Sequence, residues 1–138
     1  MRIKPRLNDF LKKLKRGPAV VLPKDFGMIV AYAGVNKDSF VVDVGGGSGF
    51  LALSLARIAK KVVTYERRGE FAEIIKKNAE RAGIENVEIK VKDAKDGVEE
   101  RDVDVITMDT PEAVLLLDDV YSALKKGVAH ARGTAYPG

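Results

Sequence analysis

The sequence predicts an α/β domain of Rossmann-like type, an open parallel sheet with helices on both faces. Three observations carry that expectation. Short apolar runs rich in Val and Ile alternate with helical segments along most of the chain. The first of these runs, "SFVVDV", passes straight into the glycine-rich turn "GGGSG" and then into the helical "FLALSLARIAK". The later runs end at acids, Glu66, Asp93 and Asp109, so carboxylates gather at the carboxyl ends of the strands, where open α/β sheets hold ligands.

Each element has a local reason. Leu7, Phe10, Leu11 and Leu14 recur at helical spacing and make Arg6 to Lys15 a short amphipathic helix, ended by Gly17-Pro18. A second helix runs from Lys24 to Ala33, with Phe26, Ile29, Val30 and Ala33 on one face and Gly34 as its stop. "KVVTYE" reads as a strand, and "EFAEIIKKNAERAG" as a helix closed by Gly83. "NVEIKVKD" alternates as a half-buried strand does, and "VDVITMD" is a buried strand. "EAVLLLDDVYSALKKG" is again helical. The chain thus divides into a basic helical lead-in (1–34), a core (35–127) and an irregular C-terminal tail (128–138).

Composition narrows the chemistry. At 138 residues the chain has the size of one domain. With 46% hydrophobic and 32% charged residues it reads as globular, and no apolar run approaches the roughly 18 residues of a membrane span. A cytoplasmic protein without membrane contact is expected. Cysteine is absent and His130 is the one histidine, which removes thiolate nucleophiles, thiolate metal sites and multi-histidine metal sites, so no metal is expected. Catalysis is left to carboxylates, backbone groups or a cofactor. The lack of glutamine beside abundant Lys and Glu is a bias of heat-adapted proteins.

The net charge of +4 is unevenly placed. The first 24 residues hold eight Lys or Arg and a single acid, Asp9, while the rest of the chain carries 16 basic and 19 acidic residues. The lead-in therefore offers either a solvated helix face or a track for phosphates.

The glycine turn discriminates between ligands. A dinucleotide fold requires G-x-G-x-x-G, yet after Gly45 and Gly47 the position of the last glycine is Phe50. No Gly-Lys-Ser/Thr ending makes it a Walker A loop. Asp43, two residues ahead of the turn, would repel a pyrophosphate and suits a cationic ligand.

"VVDVGGGSG" resembles the D/E-x-G-x-G-x-G motif of class I S-adenosyl-L-methionine-dependent methyltransferases, whose ligand carries an ammonium and a sulfonium. The resemblance implies that Gly45, Gly47 and Gly49 let the backbone approach the methionine part of the cofactor and that Asp43 helps orient it. It further implies that Glu66 accepts the ribose hydroxyls and that Asp93 lies at the adenine amino group. Asp109, in "ITMDTPEAV", falls where this family handles substrate beside the transferable methyl, and is the candidate catalytic residue; a structural cap of the following helix is the alternative.

A narrower likeness runs from about Lys4 to Lys126. "KPRLNDFLKKLK" and "RGPAVVLPKDFGMIVAYAGV" are similar to the segment leading into the catalytic domain of archaeal tRNA (adenine-N1)-methyltransferases, with Arg16, Gly17, Pro23, Lys24 and Asp25 at matching positions. This implies tRNA as a partner, held through the basic lead-in. Members of that family usually carry a small β-rich domain before the lead-in, of which only the lead-in is expected here, and Thr110, Pro111 and Glu112 keep one proline and no ring. After "ALKKG" only "VAHARGTAYPG" remains, so the last strands of the usual seven-stranded sheet are expected to be missing or incomplete. A bare edge on the fourth strand would then favour a homo-oligomer. A small-molecule methyltransferase of corrinoid type, or a cofactor-binding protein without catalysis, stand as alternatives.

Overall fold

The computed structural model describes residues 6–15, 23–108 and 122–131, the last segment with side chains through Leu124. Five parallel strands form one sheet in the order β3-β2-β1-β4-β5. They are β1 (Phe40–Val44), β2 (Lys61–Tyr65), β3 (Val87–Lys90), β4 (Val103–Met108) and β5 (Leu124–Ala131). Among the described residues they are accompanied by the α-helices α1 (Leu7–Lys12), α2 (Pro23–Ala33), α3 (Phe50–Ala56) and α4 (Gly69–Ala82). Among the described residues no helix is long and apolar enough to cross a membrane.

Register aligns the strand ends. Val44 pairs with Tyr65 on one side and with Met108 on the other, and Tyr65 pairs with Lys90. The residues that follow Val44, Tyr65 and Lys90 therefore leave the sheet along one edge. That edge carries the glycine turn after β1, Glu66 after β2 and the Asp93 loop after β3.

Strand alternation sorts the side chains into two layers. Val41, Val62 and Val105 face Phe26 and Ile29 of α2 and Leu51 and Leu55 of α3. Val42, Val44, Val63, Tyr65, Ile106 and Met108 point to the opposite face, where they pack with Ala94, Val98 and Ala123. A third cluster seats α1 through Phe10 and Leu14 on Phe50, Leu53 and Ala79. Burying each such Val, Leu or Phe contributes about 1.5–3 kcal/mol, so these clusters hold the strand ends in place.

Helix α3 stops at Ala56, earlier than the apolar pattern to Lys60 suggests. The Asn86 side chain, just before β3, donates to the carbonyls of Ala56 at 2.8 Å and Ala59 at 3.1 Å. It satisfies carbonyls that the helix end leaves open. Helix α4 closes at Gly83, in left-handed backbone at φ 69°, as a helix stop requires.

Two segments differ from expectation. Strand β3 ends at Lys90, and Val91, which continues the alternation, is exposed. More consequentially, residues 124–131 are neither the end of a helix nor an irregular tail. They form β5, parallel to β4, with Val105 opposite Val128 and Met108 opposite Ala131. The register jumps between Val103, opposite Leu124, and Val105, so the pairing accommodates an irregularity. The free N–H and C=O groups along β4 outweigh the local helical tendency of "ALKKG". Because β5 covers that edge, self-pairing through a bare β4 loses its physical basis. Residues 109–121 and 132–138, which hold most of the expected last helix and the rest of the tail, lie outside the described residues.

Candidate cofactor site

The turn after β1 is built by close backbone approach. The N–H groups of Gly45 and Gly46 both donate to the Tyr65 carbonyl, at 2.9 and 3.0 Å, folding the turn across the end of β2. Gly49 starts α3 in left-handed backbone at φ 84°, and a Cβ there would lie 2.9 Å from Ile75 Cγ2 of α4. At Gly46 a Cβ would stand 2.6 Å from Thr64 Oγ1 and 2.8 Å from Ile75 Cδ1. Only glycine fits beneath α4 at these two places. The motif spacing identifies Gly49, whereas Gly46 is a packing requirement that the spacing does not reveal.

Asp43 lies under the turn and is 1% exposed. Its carboxylate accepts from Thr64 Oγ1 of β2 at 2.9 Å and from Thr107 Oγ1 of β4 at 2.7 Å. The three residues stand side by side in register across the central strands. This row supplies the hydrogen bonds that a buried carboxylate needs. The one sequence signal for Thr64 and Thr107 is that each is a polar residue near the end of a largely apolar strand.

Glu66 is brought to the same turn. It is 2% exposed, and its Oε2 accepts from the Gly47 N–H at 3.0 Å. Its Oε1 accepts from the Arg68 N–H at 3.2 Å and from Arg68 Nε at 2.6 Å. Asp93 caps the short 3-10 turn Ala94–Asp96, accepting from the Lys95 N–H at 3.0 Å, and its other oxygen lies 3.9 Å from Arg67 Nη1. The two strand-end acids are therefore each paired with one of two consecutive arginines, Arg67 and Arg68, which no motif spacing marks. Asp109 directly follows Met108, the last residue of β4, and lies outside the described residues.

The lead-in is tied to this region by Asn78 of α4, whose buried side chain makes a reciprocal pair with the Lys15 backbone. The Lys15 N–H donates to Asn78 Oδ1 at 2.7 Å, while Asn78 Nδ2 donates to the Lys15 carbonyl at 3.0 Å and to the Ser48 carbonyl at 3.2 Å. Lys15 of the basic lead-in and the glycine turn thus share one side chain. Arg16 and Gly17, the next matching positions, lie outside the described residues.

A polar network fixes the loop that carries Asp93. Tyr65 donates its hydroxyl to Glu100 and accepts from the Glu99 N–H at 3.0 Å. Lys90 Nζ bridges Glu99 at 3.0 Å and Glu100 at 2.6 Å, and Lys92 pairs with Glu99. Burial, reinforced by donation to Glu100, pushes the Tyr65 phenol up to about 12. The hydrogen bond to Glu100 raises the Lys90 ammonium above its ordinary value. Lys92, with Lys90, holds the exposed Glu99 carboxyl down at about 2.

The linkage has a definite sign. Tyr65 is raised in the folded state, so its contribution is whole below about pH 10 and is lost as pH rises toward about 12. Glu99 is lowered, so its small contribution is present above about pH 4.5 and is lost as pH falls toward about 2. In a spectrophotometric titration of the four tyrosines, one phenolate is expected to appear late, near pH 12, and to vanish from the curve in Tyr65→Phe. Normal titration of all four tyrosines would show that the Tyr65–Glu100 contact does not persist in solution.

S-adenosyl-L-methionine offers a ribose diol, an adenine amine and two cationic centres. The site answers with Glu66 and Asp93 at successive strand ends, a turn of bare backbone, and Ser48 Oγ, a fully buried hydroxyl with no partner among the described residues. Glu66 has accepted three donors, which leaves one of its roughly four lone-pair positions. The donors and acceptors are compatible with the group, in which Glu66 would hold the ribose, Asp93 the adenine and the turn the methionine part.

Comparison with known proteins agrees with this chemistry. A family model described as protein-L-isoaspartate(D-aspartate) O-methyltransferase (PCMT) matches residues 8–113. A tRNA (adenine(57)-N(1)/adenine(58)-N(1))-methyltransferase of Methanocaldococcus jannaschii is 33% identical, over 90% of this chain and 54% of its own length. Among solved structures, a SAM-dependent O-methyltransferase of Thermotoga maritima superposes with a TM-score of 0.84 and 36% identity, covering 92% of this chain and 49% of that one. A tRNA (m1A58) methyltransferase of Aquifex aeolicus gives 0.82 and 28%, covering 90% and 51%. The chain spans about half the length of these relatives. With the family match over most of its residues and the glycine turn and strand-end acids in place, the chain belongs to the PCMT family of class I S-adenosyl-L-methionine-dependent methyltransferases.

Proposed function

We propose that this chain binds S-adenosyl-L-methionine in the site described and transfers its methyl group to N1 of an adenine in tRNA. The observation that carries the RNA reading is the Asn78 bridge, which holds Lys15 of the basic lead-in, just after α1, against the glycine turn. Arg6, Lys12, Lys13 and Lys15 lie on or beside α1. Phosphates tracked by that helix would run past the cofactor rather than away from it. The likeness to tRNA methyltransferases over nine-tenths of the chain supports the same substrate class.

Within this reading the sulfonium supplies the methyl group. Asp43 keeps the turn's foundation rigid, Glu66 and Asp93 orient the adenosine part, and Asp109, the next residue in sequence after β4, is assigned to the substrate base. A second reading has its own support, because the matching family model is named for methylation of isoaspartyl carboxyls. Radiolabelled methyl transfer to tRNA and to an isoaspartyl peptide, run side by side, separates the two. Incorporation into the peptide alone would overturn the RNA proposal.

The lead-in gives a second check. Neutralising Arg6, Lys12, Lys13 and Lys15 should flatten the slope of log affinity for tRNA against log salt, since each lost phosphate contact removes about 0.7–0.9 from it. A slope unchanged by these substitutions would assign the segment to packing alone.

A further inference from the structure

The pairing of Glu66 with Arg68 points to a device for admitting the cofactor, and its assignment rests on the cofactor reading above. Three donors already occupy the Glu66 carboxylate. Two are backbone N–H groups, of Gly47 at 3.0 Å and of Arg68 at 3.2 Å, held by the turn and by the start of α4. The third is Arg68 Nε at 2.6 Å. A carboxylate offers roughly four lone-pair positions, so one is left. A ribose brings two hydroxyls on adjacent carbons, and both must donate if the diol is to sit on this acid. One existing donor has to leave.

The backbone donors are fixed, while the Arg68 side chain is 44% exposed and lies over a Glu66 that is itself 2% exposed. Its guanidinium carbon stands 4.1 Å from the centroid of the Phe71 ring, one helical turn along α4. This stacking fixes the direction from which the side chain covers the acid. It also leaves the guanidinium next to water, where its charge remains solvated once it swings away.

We propose that Arg68 is a displaceable cover on Glu66, seated on the acid in the free protein and exchanged for the ribose diol when the cofactor enters. Arg68 then acts as a positioning residue. It neutralises a buried carboxylate while the site is empty, and it sets how tightly a diol must bind to open the site. Breaking a half-exposed ion pair opposes binding, so the cover lowers affinity. Ligands with a single ribose hydroxyl can use the remaining lone pair without moving it.

The test compares wild type with Arg68→Met, which keeps a long apolar stem over Phe71 but loses the charged donor. S-adenosylhomocysteine and its 2′-deoxyribose analogue are each titrated by calorimetry, with circular dichroism to show that both proteins are folded. Arg68→Met should bind S-adenosylhomocysteine about three- to tenfold more tightly than wild type, the scale for losing a competing charged contact that is partly exposed. The two proteins should bind the deoxy analogue equally. Weaker binding by the variant, or the same change for both ligands, would overturn the proposal, because Arg68 would then support Glu66 or act through its charge alone. If wild type binds S-adenosylhomocysteine and the variant matches it, the cover fails while the cofactor reading stands. If neither protein binds it, both fall together.

Discussion

Glu66→Ala is expected to weaken binding of S-adenosylhomocysteine by about 1–3 kcal/mol, the scale for losing a charged hydrogen-bond partner. Loss of the carboxylate removes the proposed acceptor for the ribose and also frees the Gly47 N–H that Glu66 Oε2 holds at 3.0 Å. The turn keeps its other anchor, because Gly45 and Gly46 still donate to the Tyr65 carbonyl. The fold should therefore persist and binding should suffer more than stability. Glu66→Gln keeps an oxygen acceptor while removing the charge, and an intermediate affinity is expected. Calorimetric titration beside thermal unfolding distinguishes these effects. Unchanged affinity in Glu66→Ala would remove the ribose from this end of β2.

Asp109→Asn is expected to lower methyl transfer by about 10- to 1000-fold while leaving cofactor binding intact, on the scale of losing one preorganised electrostatic contact. Adenine N1 already carries an available lone pair. Under the proposed activity the protein has mainly to place it in line with the sulfonium methyl and to accommodate the positive charge that appears as the N–C bond forms and the S–C bond breaks. A carboxylate after Met108 can accept from the adenine amino group and offset that charge. The asparagine keeps the size and loses the charge. Equal transfer to tRNA by wild type and variant would make Asp109 structural, and a wild type that binds cofactor but transfers nothing would favour a binding protein without catalysis.

Much of the fold was legible because its signals are local. The apolar runs at residues 40–44, 61–65 and 103–108 carry the period and β-branching of buried strands, and Gly83 and Gly34 close their helices by backbone geometry that few other residues adopt. The segment at 124–131 was not legible. Its strand exists because β4 needs a partner, and that demand arises from residues some twenty positions away in sequence. The site divides in the same way. The turn glycines and the acids Asp43, Glu66 and Asp93 stand out by spacing and by position at strand ends. Their partners do not. Thr64 and Thr107 meet Asp43 only through sheet register, Asn78 meets Lys15 only once α4 packs beside α1, and Gly46 is required only because Ile75 lies above it. Arg68 is adjacent in sequence to this set, yet nothing in its spacing says which carboxylate it would cover.

The central claim is that residues 43–93 of this chain form a cofactor site. Calorimetric titration of the wild-type protein with S-adenosylhomocysteine tests it most directly. The expected result is saturable binding of one ligand per chain, weakened in Glu66→Ala and unaffected in Asp109→Asn. No binding heat from folded wild-type protein at millimolar ligand would contradict it.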